Sequence, residues 1–282
     1  MAREGGPDIY SNTLHTLNNA KIIPMNIVVI IRQTPDTEAK IKVSNETTKI
    51  DKEGITWIIN PYDEFAIEKA LKIKEQLGEG EVILLSCGPD KTEEALRQGL
   101  AMGADRAVFI KDNNLETADP YVISKILSEA LKSISYDLIL TGKKVIDLET
   151  SQIPIFIAEK NGLTFSSFVI KINEVKKEMK TIIADREVDG SHEIVEINLP
   201  ALITCDRGDD IPRYASITNI MKAKKKEIKE LSLPNLNLEN KIITESLELP
   251  PQRKEVQILD GNTPEEKAKE LIKMLREEAK VI

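Results

Sequence analysis

Residues 81–103 read EVILLSCGPDKTEEALRQGLAMG and decide the fold class of this chain. Strand Glu81–Ser86 is solidly apolar at its centre, which is typical of a strand covered on both faces of a sheet. Gly88-Pro89 then turns the chain into a helix over Lys91–Met102, and Gly103 ends that helix. A buried strand followed directly by a helix predicts the βα repeat of a parallel sheet.

The same alternation continues on both sides of this unit. Asn60 before Pro61 forms a cap-like start for the preceding helix, which Gly78 and Gly80 end. Along the chain we predict strand Ile27–Ile31, helix Tyr62–Leu77, strand Ala107–Ile110, helix Tyr121–Ser133, strand Asp137–Thr141 and helix Gln152–Lys160. Strands that alternate with helices of about 10 to 16 residues predict an α/β fold with a mainly parallel, doubly wound sheet and right-handed crossovers.

From about Ser166 the pattern changes to that of an antiparallel meander, with Asp189-Gly190 as a turn signal. The predicted strands are Phe168–Ile172, Lys180–Arg186 and Glu193–Leu199, and strand Ala201–Cys205 returns to the main sheet. We therefore predict four regions, which are an irregular N-terminal extension (1–24), an α/β nucleotide-binding domain (25–212), a loop with a basic helix (213–230), and an extended C-terminal arm with a helix (231–282).

Composition excludes several functional classes. The 282 residues carry a net charge of -8 with 41% hydrophobic residues, and no run of about 18 apolar residues predicts a membrane span. Cys87 and Cys205 without a CxxC motif, and the distant His15 and His192, argue against a disulfide framework, a zinc site and a His-based triad. An acidic chain whose lysines lack interleaved aromatics argues against nucleic-acid binding. We expect a cytoplasmic protein.

Two segments outside the predicted sheet carry an apolar stripe. Ile217, Ile220 and Met221 share one helix face, and the lysines 222 and 224–226 follow at the end where positive charge is favoured. On this pattern alone, a helix packed on its own domain with solvated lysines is favoured over a surface for another protein. The second segment is the terminal helix Pro264–Lys280, which Thr263 caps. The apolar face of this helix lies on its own domain or on a partner subunit.

Candidate ligand residues cluster where the strands end, because doubly wound sheets bind ligands beyond the carboxyl ends of their strands. The clusters are 32–36, 60–63, 86–89 and 142–152, and the last is the strongest. Gly142 lets the backbone turn, and Thr150 and Ser151 precede a helix whose free N–H groups suit a phosphate. Lys143 and Lys144 add positive charge. Many such loops only cap a helix, and the sequence contains neither a GxGxxG fingerprint before a helix nor a P-loop.

The sequence contains no recognisable nucleophile–base pair. Asp147 and Glu149 lie close in sequence, but acidic pairs in loops are mostly solvated. A hydrolase or transferase is therefore unsupported. The residues by themselves predict a nucleotide-binding α/β protein with an interaction arm, and a stand-alone nucleotide-binding or stress-type protein remains the alternative.

An ordered set of motifs gives the chain a specific resemblance. From about Met25 to the C-terminus, the chain resembles the β (small) subunit of electron transfer flavoprotein. The matching motifs are Asn60–Glu68, Ser86–Pro89, Leu100–Arg106, Gly142–Asp147, Leu199–Thr204, Pro212–Ser216, Asn219–Lys226 and Pro250–Arg253.

The resemblance implies an electron carrier rather than a catalyst in its own right. Members are heterodimers in which FAD lies mainly in the α subunit and is shared with β, while β holds a structural AMP. Electrons pass from acyl-CoA and related dehydrogenases of fatty acid oxidation to a membrane quinone oxidoreductase. The resemblance thus implies FAD and AMP as cofactors, and an α subunit, acyl-CoA dehydrogenases and a quinone oxidoreductase as partners, without direct membrane insertion.

The resemblance also assigns site residues. The implied cofactor-binding residues are Ile30, Asn60, Pro61, Tyr62, Asp63, Cys87, Gly142, Lys143, Lys144, Val145, Ile146, Asp147, Leu148, Glu149, Thr150, Ser151, Gln152 and Ile153. The implied dehydrogenase-binding residues, called here the recognition segment, are Arg213, Tyr214, Ala215, Ser216, Ile217, Thr218, Asn219, Ile220, Met221 and Lys222. Ile217 is expected to enter a pocket of the dehydrogenase, while Ile220 and Met221 hold the segment to its own subunit. The lysines are expected to steer acidic partners.

The chain departs from the family pattern in the cofactor loop. Leu148 replaces an acidic or glycine position, and Pro154 stands where glycine is common. The run Glu149–Gln152 is similar to that of members whose β subunit binds a second FAD in place of AMP, oxidises NADH and bifurcates electrons. Pro212-Arg-Tyr and the basic tail match the ordinary carriers, which we favour.

Overall fold

The computed structural model describes residues 24–234, 236–251 and 256–282. The predicted N-terminal extension, apart from Pro24, and residues Gln252 and Arg253 of the motif Pro250–Arg253 therefore lie outside the described residues. The chain divides into two compact units. The first contains residues up to 41 and 52–244, and the second contains residues 42–51 and 245–282.

The helices and strands follow the predicted order. The first half contains β1 (Asn26–Ile30), β2 (Gln33–Pro35), β3 (Lys42–Val43), β4 (Ile50–Asp51), β5 (Trp57–Ile59), α1 (Pro61–Leu77), β6 (Glu81–Gly88), α2 (Glu93–Met102), β7 (Arg106–Lys111) and α3 (Pro120–Leu131). The second half contains β8 (Leu138–Gly142), α4 (Gln152–Asn161), β9 (Thr164–Lys176), β10 (Thr181–Val188), β11 (Ser191–Asn198), β12 (Ala201–Cys205), α5 (Ile217–Ala223), β13 (Ile228–Glu230) and α6 (Pro264–Glu277). Two 3-10 turns, Asp90–Thr92 and Asn113–Thr117, precede α2 and α3.

The first unit is built on one large sheet with the strand order β11-β10-β9-β12-β8-β1-β6-β7-β13. All neighbouring pairs are parallel except β9–β10 and β10–β11. The α/β class and the doubly wound parallel sheet are therefore confirmed. From β1 the chain proceeds to β6 and β7 on one side, and β8 lies on the other side of β1. The crevice at this reversal of direction is where such sheets bind ligands.

The core consists of two apolar layers, one on each face of the sheet. Ile27 and Val29 of β1 belong to the layer covered by α1 and α2, while Val28 belongs to the layer covered by α3 and α4. Successive strand residues point to opposite faces, so a strand buried on both sides must be apolar throughout. This explains the unbroken apolar runs in the sequence.

The beginning of the predicted arm belongs to the first unit. Strand β13 pairs in parallel with β7, and four leucines that follow it, namely Leu231, Leu233, Leu236 and Leu238, pack against the layer covered by α3. Asp119, which caps α3 through Val122 N–H (2.8 Å), also accepts hydrogen bonds from the N–H groups of Lys241 and Ile242. Residues 231–234 and 236–242 thus contact their own domain, because the leucines pack against this apolar layer and Asp119 binds the backbone at Lys241 and Ile242.

The second unit contains the β3–β4 hairpin and the terminal helix α6. The helix begins at an N-cap, in which Thr263 Oγ1 accepts from Glu266 N–H (3.3 Å), while Glu266 Oε2 accepts from the N–H of Asn262 before the cap (2.9 Å). It ends at Glu277, three residues before the predicted end at Lys280. None of its described residues is buried, and Leu271 and Ile272 remain about half exposed.

No helix within the described part of the chain combines the length and apolar character needed to cross a membrane.

Candidate functional site

A cleft opens at the carboxyl ends of β1, β6 and β8, at the reversal point of the sheet. Eight of the predicted cofactor residues line it, namely Ile30, Asp63, Cys87, Gly142, Lys144, Val145, Thr150 and Ile153. Arg32, from the candidate cluster 32–36, also lines it, as do four residues that were not predicted, namely Ile31, Leu127, Thr141 and Pro154. The parallel strands bring these groups together because their carboxyl ends share one edge of the sheet.

Asp63 connects the strand ends to the first turn of α1. Its Oδ1 accepts a hydrogen bond from Gly142 N–H (2.9 Å), and its Oδ2 accepts one from Arg32 N–H (2.8 Å). The side chain is buried, and burial raises its pKa to about 7 even though the backbone donors of Arg32 and Gly142 and the side chain of Asn60 act to lower it. One carboxyl group therefore fixes the ends of both β1 and β8 beside the cleft.

Asn60 holds the loop that forms the outer wall of the cleft. Its Nδ2 donates to Lys144 O (3.0 Å), and its Oδ1 accepts from Ile146 N–H (3.2 Å). The residue is fully buried. A buried amide with both partners satisfied specifies one loop conformation, since any other arrangement leaves polar groups unpaired.

Each of the three basic side chains at the cleft has a carboxylate partner. Arg32 Nη2 lies 2.7 Å from Asp147 Oδ2, and Lys143 Nζ lies 2.6 Å from Asp206 Oδ2. Lys144 pairs with Glu149. The predicted positive charge is therefore already balanced in pairs, and a bound anion would share these cations with carboxylates.

The start of α4 faces the cleft with few polar groups. Ser151 is the N-cap but makes no side-chain cap hydrogen bond, while Thr150 Oγ1 accepts from Gln152 N–H (3.3 Å). Pro154 has no N–H, so the first turn offers fewer backbone donors than a turn with glycine at this position. Ile153 and Pro154 instead present an apolar wall.

The thiol of Cys87 lines the cleft as a neutral group. Burial raises its pKa to about 12, although the Arg32 charge acts to lower it. A thiol with so high a pKa is a poor nucleophile. Cys87 is therefore a small residue in the wall of the cleft.

The remaining predicted cofactor residues lie around the cleft. Tyr62 packs beneath Lys143, whose Nζ is 5.0 Å from the ring centroid. Pro61 lines a different groove. The others lie along the loop or at the start of α4, namely Ile146, Asp147, Leu148, Glu149, Ser151 and Gln152. Among the unpredicted lining residues, Ile31 directly follows β1 and could have been inferred from that position. Leu127 lies on α3, and only the packing of α3 on the sheet reveals its role.

Comparison with known proteins places the chain in a family. The electron transfer flavoprotein domain matches residues 47–236, which is more than half of the chain. The electron transfer flavoprotein subunit beta of Bacillus subtilis (strain 168) is 41% identical over 92% of this chain and 100% of its own length. The chain belongs to the electron transfer flavoprotein β-subunit family.

Relatives from eukaryotes extend this assignment. The mitochondrial electron transfer flavoprotein subunit beta of Arabidopsis thaliana is 36% identical over 92% of this chain and 100% of its own length. The human electron transfer flavoprotein subunit beta is 34% identical over 81% of this chain and 90% of its own length. The matches cover 90–100% of these three subunits, so the fold and the electron-transfer role of the family apply to this chain.

In this member of the family, the recognition segment lies at the surface. Ser216 caps α5 by accepting from Asn219 N–H (3.2 Å). Ile217 is 82% exposed and Met221 is 57% exposed, while Ala223 is buried against the core. The pattern-based prediction that this stripe packs on its own domain is therefore wrong for Ile217 and Met221. The short helix is attached mainly through Ala223 in its last turn, which leaves its first turn facing outward.

An apolar groove lies beside the recognition segment. It has a volume of about 660 Å³ and runs between α1, α2 and residues 211–224. Ile220 is 44% exposed and lines this groove, so part of its surface contacts its own subunit.

One residue of the basic tail has a structural role. Lys222, Lys224 and Lys225 are exposed. Lys226 Nζ instead donates to Leu100 O (3.1 Å) and to Ala104 O, at the C-terminal end of α2. Unpaired carbonyls at a helix C-terminus attract a cation. The prediction that all four lysines form a solvated, partner-steering patch is therefore wrong for Lys226.

The raised pKa of Asp63 predicts a specific pH dependence of stability. The folded pKa of about 7 lies above the ordinary 3.8, so the protonated form stabilises the fold. This contribution is complete below about pH 4 and is lost as pH rises through about 7. We expect the unfolding free energy of the wild type to fall relative to Asp63→Asn by more than about 1 kcal/mol between pH 4 and 7.

Chemical unfolding of both proteins across this pH range measures that difference. The amide side chain of the Asp63→Asn variant does not titrate, so the variant serves as the reference at each pH. Parallel stability curves for the two proteins would contradict a raised pKa at Asp63.

Proposed function

We propose that the chain is the β subunit of a heterodimeric electron transfer flavoprotein that binds a structural AMP in the cleft at β1, β6 and β8. It would accept electrons from acyl-CoA and other dehydrogenases through an FAD shared with the α subunit. It would pass them to a membrane quinone oxidoreductase. The observation that carries this proposal is the cleft at the reversal point of the sheet. The loop that contains the family motif Gly142–Asp147 forms one wall of this cleft.

The chemistry of the cleft suits an adenosine monophosphate. Its apolar side chains, Ile30, Cys87, Leu127 and Ile153, provide surfaces for the base and the sugar. The start of α4 and Lys144 lie on the same loop and suit one phosphate group. Because the basic side chains are already paired with carboxylates, the cleft favours a ligand with a single phosphate over one with a diphosphate.

The β subunit contributes positioning rather than redox chemistry. FAD, when bound, supplies the electron-accepting group of the complex. The residues of this chain would hold AMP, cover the flavin domain of the α subunit and present the recognition segment to the dehydrogenase. Ile217 provides the exposed apolar anchor, and the exposed Lys222, Lys224 and Lys225 favour an acidic partner surface.

The exposed face of α6 supports contact with the α subunit. Leu271 and Ile272 share one face of this helix and are not covered within the second unit. We propose that this face and residues 245–282 pack on the α subunit, since an amphipathic helix is stabilised mainly by burying its apolar side.

Counting cofactors in the assembled protein tests the proposed function. The chain is coexpressed with its α subunit, the complex is purified, and the nucleotides released by denaturation are quantified. We expect one FAD and one AMP per heterodimer. A chain that remains monomeric in the presence of an α subunit, or a complex that releases FAD but no AMP, would overturn the proposal.

An electron-bifurcating subunit is the second candidate, since Glu149–Gln152 is similar to the corresponding run in such members. It would bind a second FAD in place of AMP and react with NADH. Release of two FAD per heterodimer, together with reduction of the flavin by NADH, would establish it.

A further inference from the structure

The start of the recognition segment is held on α1 by two groups of ion pairs. Arg213 binds the carboxylates of Glu68 and Glu75, and Asp210 lies between Lys69 and Lys72. The α1 residues are Glu68, Lys69, Lys72 and Glu75. They occupy positions i, i+1, i+4 and i+7, which lie along one side of a helix. Ion pairs with helix α1 thus hold both ends of the four-residue stretch 210–213.

Arg213 makes the more extensive of these contacts. Its Nε and Nη2 donate to the two carboxylate oxygens of Glu68 at 2.8 and 2.9 Å, and its backbone N–H donates to Glu68 Oε2 at 3.1 Å. Its Nη1 and Nη2 donate to Glu75 at 2.6 and 3.2 Å. The guanidinium fork therefore binds both carboxylates at once, a geometry that the ammonium group of lysine cannot reproduce.

The burial of Glu68 makes this contact specific. The Glu68 side chain is 4% exposed, whereas the Glu75 side chain is 59% exposed. A buried carboxylate without a cation is strongly unfavourable. Glu68 therefore requires the Arg213 guanidinium at this place, which fixes the backbone of residue 213 on α1.

Arg213 is turned toward its own subunit, but its neighbours face outward. Ile211 is 79% exposed and Tyr214 is 96% exposed, and Ile217 follows one residue after the cap of α5. The ion pairs hold the backbone of a segment whose apolar side chains project into solvent.

We propose that Arg213 is a positioning residue, which sets the location of the exposed anchor Ile217 by binding Glu68 and Glu75 of α1. This inference rests on the proposed function of the recognition segment and deepens it. The resemblance assigns Arg213 to the surface that meets the dehydrogenase, whereas here Arg213 acts through Ile217. Without the ion pairs of Arg213, the segment samples orientations in which Ile217 is displaced from its binding position. A smaller fraction of collisions with the dehydrogenase then leads to a complex.

The variants are Arg213→Gln, which removes the charge, and Arg213→Lys, which retains the charge but not the fork. Each is made in the α–β heterodimer, and reduction by an acyl-CoA dehydrogenase is measured at varied flavoprotein concentration. For Arg213→Gln we expect KM to rise on the order of tenfold and kcat to stay within twofold, with partial recovery in Arg213→Lys. Hydrogen exchange of residues 214–221 should accelerate on the order of tenfold, while exchange in β8 and β12 stays unchanged.

Lys74→Gln is the matched control. Lys74 also lies on α1 and pairs with Asp105 at 2.6 Å, and its side chain is 30% exposed against 34% for Arg213, but it does not contact the recognition segment. We expect this variant to leave both KM and the exchange of residues 214–221 unchanged. If Arg213→Gln fails to fold, Arg213→Lys carries the test, and a KM equal to that of wild type would overturn the proposal.

The outcomes separate this inference from the function on which it rests. If Ile217→Ala impairs electron transfer while the Arg213 variants change neither KM nor hydrogen exchange, the positioning role is wrong and the recognition function stands. If the Arg213 variants accelerate exchange while neither they nor Ile217→Ala change the transfer kinetics, the recognition function itself is wrong.

Discussion

Replacing Ile217 by alanine is expected to lower kcat/KM for electron transfer from an acyl-CoA dehydrogenase about 30-fold, with flavin content unchanged. The side chain is 82% exposed on the short helix α5, so it is available to fill an apolar pocket of a partner. Truncation of a central apolar anchor typically costs on the order of 2 kcal/mol of binding free energy, which corresponds to that factor. Stopped-flow reduction of the heterodimer by dehydrogenase and substrate measures the change.

The same substitution should leave the stability of the subunit within about 0.5 kcal/mol of wild type, because exposed side chains contribute little to folding. Ile194→Ala on β11 is the matched control, since Ile194 is 74% exposed and lies outside the recognition segment. We expect the control to retain wild-type kinetics. Equal transfer rates for Ile217→Ala and wild type would remove Ile217 from the recognition surface.

Replacing Gly142 by alanine is expected to abolish retention of AMP and to destabilise the β subunit by about 3 kcal/mol or more. A Cβ atom at this position would lie 2.4 Å from Asp63 Oδ1, 2.6 Å from Tyr62 Cβ and 2.8 Å from the Tyr62 carbonyl carbon. The backbone at the start of α1 would have to move. The hydrogen bond from Gly142 N–H to Asp63 would then be lost, and the cleft would change shape.

Nucleotide released from the purified heterodimer and the midpoint of chemical unfolding measure both effects. Gly162→Ala is the control, because a Cβ at Gly162 meets no atom within 4 Å although its φ of +62° is unfavourable for alanine. We expect this control to lose about 1 kcal/mol of stability and to retain AMP. AMP retained in Gly142→Ala would show that the nucleotide binds elsewhere.

Most helices and strands of the parallel sheet were predictable because their burial leaves a clear pattern. The run Val-Ile-Leu-Leu of β6 and the Gly103 that ends α2 place these elements within a few residues of their observed ends. The short strand β13 has the sequence Ile-Lys-Glu and was not predicted. Its pairing with β7 depends on backbone hydrogen bonds rather than on side-chain periodicity, so the sequence alone does not reveal it.

The candidate site was predictable in place but not in its interactions. Gly142 is the last residue of β8 and Asp63 lies in the first turn of α1, and the doubly wound fold brings such positions to one edge of the sheet. The sequence gives no indication that Lys143, Lys144 and Arg32 each form an ion pair with a carboxylate. The geometry of the folded loops determines which carboxylate lies next to each cation. For the same reason, Lys226 was expected in a steering patch although it binds the end of α2.

The sequence by itself determined the α/β class, the parallel order of alternating elements and the family, since periodicity and motifs are local properties of the chain. Only the tertiary structure decided whether each apolar or charged side chain of these segments contacts its own domain or faces solvent. It places Ile217 in solvent, Arg213 on Glu68, and the leucines of residues 231–238 on their own domain. These placements depend on contacts between residues that are distant in the sequence. Local patterns are compatible with many such contacts, and the one that forms is determined by burial and charge pairing in the folded chain.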